Sequence, residues 1–234
     1  MNQLKNQKAS NLILKLGTAN TGKTYSSVRY LEARLGIENE DPEITSHQPN
    51  LSQPPILRQF ADGKQVFLKQ IILFDPHGFF EEIWSYWPYS WNEYRADVPF
   101  CVFDDMDDFA SIMMRKDPDN SRKFLIEYAI VIVDELQYLS KKNYDKLKKA
   151  MIGRRHRNLE FLVHSWRPSN IPVEVWAGLK RAEVYRIRSY NDAVKVRNEL
   201  GEEYNERKTM KLQLRCGDCI VEYVGTDPYF DCQD

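Results

Sequence analysis

One octapeptide near the amino terminus constrains the fold of this chain more than any other segment. It fits G-x-x-x-x-G-K-[ST] at every fixed position and lies between an apolar run at residues 11–16, which predicts a strand, and a helical pattern at 25–35. In this context the glycines let successive backbone N–H groups point at phosphate oxygens, and the new helix adds its positive end. We expect the nucleotide-binding residues to be Gly17, Thr18, Ala19, Asn20, Thr21, Gly22, Lys23, Thr24 and Tyr25.

Two of these residues have more specific predicted roles. Lys23 is expected to reach the β- and γ-phosphates, which makes it a catalytic candidate as well as a binding residue. The hydroxyl of Thr24 is expected to ligate Mg²⁺. The sequence therefore predicts a nucleoside triphosphate bound with magnesium.

A second motif supports this interpretation. The apolar, β-branched run at 129–133 is typical of a buried parallel strand, and it is followed directly by Asp134 and Glu135. Two carboxylates at such a position are costly unless they meet a cation or a polar substrate. Asp134 is predicted to hold Mg²⁺ through its water shell, and Glu135 to orient and deprotonate the attacking water. The adjacent glutamate indicates hydrolysis rather than nucleotide binding alone.

Composition and pattern predict one α/β domain over residues 1–234. Apolar strands alternate with helical segments, which predicts a mainly parallel sheet flanked by helices, with ligands at the carboxyl ends of the strands. Residues 37–69 are rich in proline and polar residues and are predicted to be a long loop or insertion, and 205–234 a β-hairpin appendage and tail. The C-x-x-C at Cys216 and Cys219 is interpreted as a hairpin turn with reduced thiols rather than a zinc site.

Charge and hydropathy limit the location and the partners. The formal net charge is −1, so overall charge predicts no partner. No apolar stretch approaches the ~18 residues of a membrane span, and the first residues lack the apolar core of a signal peptide. We therefore expect a soluble protein without a transmembrane segment.

A basic run at 141–157 indicates nucleic-acid binding. It holds five lysines and three arginines against one acid, Asp145. A solvated helix face is one interpretation, and a sequence-independent contact with a phosphate backbone is the one we favour. The arginines in it have a second candidate role, which is to reach the γ-phosphate bound to a neighbouring subunit.

Two histidines complete the candidate site. His77 and His164 each follow a strand, so each either faces the nucleotide or is a hydrogen-bonded structural histidine. Neither has the spacing of a metal site with another histidine or cysteine.

The order of these motifs resembles the FtsK–HerA superfamily of P-loop motor ATPases, and most closely the genome-packaging ATPases of membrane-containing icosahedral viruses. The segments that carry the resemblance are 17–24, 75–78 (Asp-Pro-His-Gly), 131–135, and 153–158 leading to 164–169. Family members usually carry a γ-phosphate-sensing glutamine where this chain has Trp166. Either His164, Ser165 or Arg167 takes that role here, or sensing is altered.

The resemblance implies a RecA-like ASCE core in a homo-oligomeric ring, usually a hexamer, that pumps double-stranded DNA and binds ATP between neighbours. It implies catalytic arginine candidates at Arg154, Arg155, Arg157 and Arg167. It also implies action in the host cytoplasm or in the virion, with capsid-vertex or viral membrane proteins as possible partners.

Three functions follow as hypotheses. The first is an ATP-hydrolysing, DNA-translocating motor that packages a viral genome into a preformed capsid. The second is a Zot-like phage assembly or secretion ATPase, although those proteins usually carry a transmembrane segment. The third is a nucleotide-dependent assembly switch without translocation, against which Glu135 argues.

Overall fold

A computed structural model describes residues 12–18, 22–35, 54–59, 63–80, 98–138, 140–185, 187, 189–200, 212–213 and 220–223. The strands of this part are β1 (Leu12–Leu16), β2 (Ile56–Gln59), β3 (Gln65–Phe67), β4 (Gln70–Phe74), β5 (Phe100–Phe103), β6 (Ala129–Val133), β7 (Leu159–Ser165), β8 (Arg181–Val184), β9 (Leu212–Gln213) and β10 (Ile220–Tyr223). Its α-helices are α1 (Lys23–Leu35), α2 (Met106–Ile112), α3 (Lys141–Ile152), α4 (Arg154–Arg157), α5 (Val173–Ala177) and α6 (Tyr190–Leu200).

Most strands belong to one sheet in the order β5-β4-β6-β7-β1-β8-β10-β9. Every neighbouring pair in it is parallel except β10 with β9, which is antiparallel. The predicted mainly parallel α/β sheet is therefore confirmed, and so is the antiparallel pairing expected near the carboxyl terminus.

The central strands are buried on both faces, which explains their continuous apolar runs. All five residues of β1 and of β6 are buried. Successive residues point to opposite faces, so Ile13 joins the core under α1 whereas Leu14 joins the core on the side of α3 and α5. Two hydrophobic cores thus hold the sheet between two helical layers.

The segment predicted as a long loop contains a small hairpin. Strands β2 and β3 pair antiparallel, with an irregularity between Ile56 and Arg58. The sequence pattern did not predict these strands, because they are only four and three residues long and prolines precede them. Burial of Leu57 and Leu68 in the core beside α1 fixes the hairpin on the domain. Residues 37–53 and 60–62 of the predicted loop lie outside the described residues.

Parallel pairing places the predicted site at one edge of the sheet. Strands β4, β6, β7 and β1 are successive neighbours, so their carboxyl ends meet there. Asp75, Asp134 and Gly17 each follow directly on one of these strands. Within the residues described, no helix combines the length and the apolarity needed to cross a membrane.

Candidate nucleotide site

The glycine-rich loop joins β1 to α1 and holds its lysine inward. The backbone N–H of Gly17 donates to the carbonyl oxygen of Ser165 at 3.1 Å, which ties the loop to the neighbouring strand β7. Lys23 Nζ donates to the carbonyl oxygens of Gly17 and Thr18, at 2.8 Å each. Gly22 has a φ of +89°, a conformation that favours glycine. Three predicted binding residues of this loop lie outside the described residues: Ala19, Asn20 and Thr21.

Lys23 faces the two carboxylates that follow β6. Burial lowers the pKa of Lys23, while the charges of Glu135 and Asp134 act in the opposite direction. The side chain is buried. The structure therefore brings together the lysine of the first motif and the acids of the second, as the sequence analysis predicted, at the edge where a triphosphate would bind.

Asp134 has one oxygen held by protein and one that is not. Its Oδ1 lies 2.7 Å from Nδ1 of His164. Its Oδ2 is buried and has no hydrogen-bond partner among the described residues. A buried carboxylate oxygen without a partner is costly unless it meets a cation. This donor set fits Mg²⁺, with Thr24, the second residue of α1, as the complementary hydroxyl ligand.

Glu135 occupies a strained position beside this oxygen. Its φ of +63° lies in the left-handed region, which costs a non-glycine residue on the order of 1–2 kcal/mol. The pKa of Glu135 is raised to about 7, mainly by burial and also by the charge of Asp134, while Lys23 opposes the rise. A carboxylate with a pKa near neutrality is well matched to accept a proton from water.

A short chain of hydrogen bonds orients Glu135. Gln137 Nε2 donates to Glu135 Oε2, and Ser165 Oγ donates to Gln137 Oε1 at 3.2 Å. The backbone N–H of Arg167 in turn donates to Ser165 Oγ at 3.2 Å. The amide side chain that contacts the predicted base therefore comes from Gln137, in the 3₁₀ helix Leu136–Tyr138 that follows β6. Trp166 instead stacks with Arg167, whose guanidinium carbon is 4.2 Å from the ring centroid.

The Asp-Pro-His-Gly segment after β4 is a structural turn at the same edge. Asp75 accepts hydrogen bonds from the backbone N–H groups of Phe79 and Phe80, at 3.1 and 2.9 Å. Burial raises the pKa of Asp75, the N–H groups oppose the rise, and Asp134 adds to it. The ring of His77 packs on Tyr138, with 5.2 Å between centroids.

The four candidate arginines fall into two groups. Arg157 is buried, and its guanidinium donates to the carbonyl oxygens of Met113 and Ile126 at 2.8–3.1 Å. Arg154 is buried and donates to the carbonyl oxygens of Met151 and Gly178 at 2.8 and 2.9 Å. These contacts give both side chains a structural task within their own subunit and argue against the expected catalytic role.

Arg155 and Arg167 are different, because both are exposed. Both side chains are therefore accessible from outside the domain.

The basic run at 141–157 likewise contains both residues with partners inside the domain and exposed residues. Helix α3 begins at its cap Ser140, whose hydroxyl accepts from the N–H of Asn143, and buries Leu147 and Met151. Lys148 pairs with Glu174, and Lys146 donates to Ser111 Oγ at 3.1 Å. The exposed residues of the run include Lys141, Lys142, Lys149 and Arg155.

Several site residues escaped the sequence analysis. Ser27 bonds His164, Gln137 bonds Glu135, and Lys15 pairs with Glu183 beneath the loop. The importance of Lys15 and Glu183 could have been predicted from the sequence, since each is a charged residue inside an apolar strand pattern. The roles of Ser27 and Gln137 could not have been predicted, because each resembles an ordinary polar residue of a helix or turn.

Comparison with solved structures identifies the fold. No protein-family model and no curated protein sequence matches the chain. The chain is similar to the genome packaging NTPase B204 from Sulfolobus turreted icosahedral virus 2 in complex with AMPPCP, with 17% identity, a TM-score of 0.51, and coverage of 84% of this chain and 85% of that one. It is also similar to B204, the DNA-packaging ATPase from Sulfolobus Turreted Icosahedral Virus, with 16% identity, a TM-score of 0.51, and coverage of 86% and 88%.

A third similarity is to EssC (ATPases 2 and 3) from Geobacillus thermodenitrificans, with 14% identity and a TM-score of 0.51. The match covers 85% of this chain and 35% of EssC. At these identities the likeness concerns the fold alone. The mainly parallel sheet, its flanking helices and the loop between β1 and α1 give this chain the P-loop NTPase fold that it shares with B204 and EssC.

Proposed function

We propose that this chain is an ATP-hydrolysing motor that translocates double-stranded DNA and packages a viral genome into a preformed capsid. The observation that carries the ATPase part is the convergence of Lys23 with Asp134 and Glu135 at the carboxyl edge of the sheet. A buried ammonium and two acids at that edge match the needs of triphosphate binding and hydrolysis.

In this proposal each group has a defined task. Lys23 binds the β- and γ-phosphates, and the backbone of the loop accommodates the remaining phosphate oxygens. Mg²⁺, held by Thr24 and Asp134, would neutralise charge on the phosphate oxygens. Glu135, oriented by Gln137, accepts the proton of the attacking water.

The exposed lysines of α3 support the nucleic-acid part. Lys141, Lys142 and Lys149 lie exposed on one short helix of a chain whose net charge is −1. Contacts between such lysines and phosphates are independent of sequence and sensitive to salt. Sequence-independent binding suits a protein that moves along DNA. Two of the fold relatives are described as genome-packaging proteins, which favours DNA as the substrate of this chain too.

The motor is proposed to act as a homo-oligomeric ring, with ATP between neighbouring subunits. Arg155 and Arg167 are the candidates to complete a neighbour's site, because their guanidinium groups are exposed. The ring is proposed to work in the host cytoplasm at the capsid vertex, where capsid or viral membrane proteins are its partners.

The experiment is the ATP hydrolysis rate with and without double-stranded DNA at low salt. We expect DNA to stimulate hydrolysis, and the triple variant Lys141→Gln, Lys142→Gln, Lys149→Gln to lose the stimulation while keeping the basal rate. Lys123→Gln, a change at an exposed lysine outside α3, is the control. Hydrolysis that ignores DNA would instead support the nucleotide-dependent assembly switch, and absence of hydrolysis would reject the ATPase assignment.

A further inference from the structure

Three fully buried side chains form a continuous hydrogen-bonded chain behind the proposed metal site. Ser27 Oγ lies 2.7 Å from His164 Nε2, and His164 Nδ1 lies 2.7 Å from Asp134 Oδ1. The exposed fractions are 0% for Ser27, 0% for His164 and 1% for Asp134. The chain connects helix α1 through strand β7 to the carboxylate that follows β6.

The partners determine where the imidazole carries its proton. The Asp134 carboxylate can only accept a hydrogen bond, so Nδ1 must donate to it. With the proton on Nδ1, Nε2 is free to accept the hydroxyl proton of Ser27. Phe80 stacks on the imidazole, with centroids 6.1 Å apart and the planes 22° from parallel.

This arrangement decides which oxygen of Asp134 remains for a cation. Oδ1 is occupied by the imidazole, and Oδ2 is the buried oxygen without a hydrogen-bond partner among the described residues. Rotation of the carboxylate would break the bond to His164. A ligating group held in this way by an outer hydrogen bond is better oriented and more basic.

The same chain reaches the helix that carries the other predicted ligand. Ser27 lies on α1, one turn after Lys23 and Thr24. Its bond to His164 therefore fixes the start of α1 relative to Asp134. The hydroxyl of Thr24 and the carboxylate of Asp134 are thereby held at a set spacing, which a small ion with strict octahedral geometry requires.

We propose that His164 is a positioning residue for magnesium-dependent nucleotide binding, acting as a hydrogen-bonded bridge from Ser27 to Asp134. It does not contact the nucleotide or the reacting atoms. The proposal rests on the ATP and magnesium part of the proposed function and is independent of DNA translocation.

Two variants of similar polarity separate positioning from simple packing. In His164→Asn the amide nitrogen takes the place of Nδ1 and can still donate to Asp134. In His164→Gln the amide takes the place of Nε2, facing Ser27, and the bond to Asp134 is lost. The measurement is the equilibrium affinity of the full chain for a fluorescent ATP analogue, with Mg²⁺ and separately with EDTA.

We expect His164→Gln to weaken binding in Mg²⁺ by about tenfold or more, as is typical when a partner of a metal ligand is lost. His164→Asn should stay within about threefold of the unchanged chain, and the affinities in EDTA should agree within about twofold. Ser27→Ala, which removes only the distal hydroxyl, should give an intermediate loss confined to Mg²⁺. Equal behaviour of the Asn and Gln variants, or equal losses with and without Mg²⁺, would overturn the proposal.

A spectroscopic measurement tests the bridge without any variant that must bind nucleotide. The chain has four histidines, so ¹⁵N labelling gives a small set of imidazole signals, and the set lost in His164→Asn belongs to His164. We expect Nδ1 of His164 to carry a proton, and a ring that is protonated at Nε2 alone would overturn the proposal. If the unchanged chain binds no nucleotide at all, the proposed function fails. The position of the imidazole proton would still show whether His164 bridges Ser27 and Asp134.

Discussion

Lys15 and Glu183 form a buried ion pair between neighbouring strands of the sheet. They are direct partners in the β1–β8 register, and Lys15 Nζ lies 3.0 Å from Glu183 Oε2 with side chains only 1% and 5% exposed. Lys15 also donates to Ser26 Oγ at 2.7 Å, and Tyr185 donates to Glu183 at 3.0 Å. The pair therefore lies beneath the phosphate-binding loop and joins β1, α1 and β8.

We expect Glu183→Gln to destabilise the fold by about 3–5 kcal/mol, because it leaves the buried ammonium of Lys15 without its counter-charge. Urea unfolding measures this loss. The matched control is Glu199→Gln, which removes an ion pair with Lys195 on α6 that is partly exposed. That variant should cost less than about 1 kcal/mol. Equal effects of the two variants would contradict a special role for the buried pair.

The same pair predicts a pH dependence of stability. Burial alone would raise the pKa of Glu183, but the nearby Lys15 and Arg181 lower it overall, to below its ordinary value of 4.5. The folded protein then binds this proton more weakly than the unfolded chain. The stabilisation is fully present above the ordinary value and is lost as the pH falls through the lower value of the folded state.

Unfolding free energies measured at pH values from 7 down to 3 check this. In Glu183→Gln the decline towards acid should be shallower than in the unchanged chain. An identical slope in both proteins would show that other carboxylates carry the acid sensitivity.

Lys23→Ala should weaken ATP binding at least tenfold, since a hydrogen bond to a charged group contributes about 1.5–3 kcal/mol. Isothermal titration with ATP and Mg²⁺ measures it. Lys149→Ala is the control, because this lysine is exposed on α3 and not part of the loop between β1 and α1. Unchanged binding in Lys23→Ala would reject the assignment of the loop.

Glu135→Gln should lower the hydrolysis rate by about 10²–10⁴-fold while ATP binding persists, because the amide cannot accept the proton of water. Single-turnover phosphate release and nucleotide titration separate the two quantities. Glu174→Gln, a change at an exposed glutamate, should leave both unchanged. Retained hydrolysis in Glu135→Gln would require another base.

We expect Arg157→Ala to lower the stability of the fold and Arg155→Ala to lower the hydrolysis rate. Loss of Arg157 leaves the carbonyl oxygens of Met113 and Ile126 without their donors, so unfolding should become easier by at least about 2 kcal/mol. Loss of exposed Arg155 should leave stability within about 0.5 kcal/mol. It should nevertheless lower hydrolysis by about 10³-fold or more if the residue acts on a neighbour's ATP.

Mixing subunits provides the decisive measurement for Arg155. In the proposed ring, a mixture of Arg155→Ala and Glu135→Gln subunits would contain interfaces in which both residues are intact. Hydrolysis should therefore reappear on mixing. No recovery would exclude action across the interface and move attention to Arg167.

Local patterns determined much of this protein from its sequence. The loop at 17–24, the acids after the strand at 129–133 and most sheet strands were predictable, because strand burial and phosphate binding impose patterns on adjacent residues. The parallel sheet followed from the alternation of strands and helices. The hairpin of β2 and β3 did not follow, since only its burial against the core near α1 stabilises such short strands.

Contacts between distant residues were decided only by the tertiary structure. Ser27 and His164 are separated by 137 positions and Ser26 and Glu183 by 157, so no local pattern relates them. The same holds for the arginines of one short basic segment, where Arg157 is buried among main-chain carbonyls and Arg155 is exposed. Sequence specifies which chemical groups are available, whereas strand order and packing decide which of them meet, because a buried charge or hydrogen bond forms only where the fold removes water and supplies a partner.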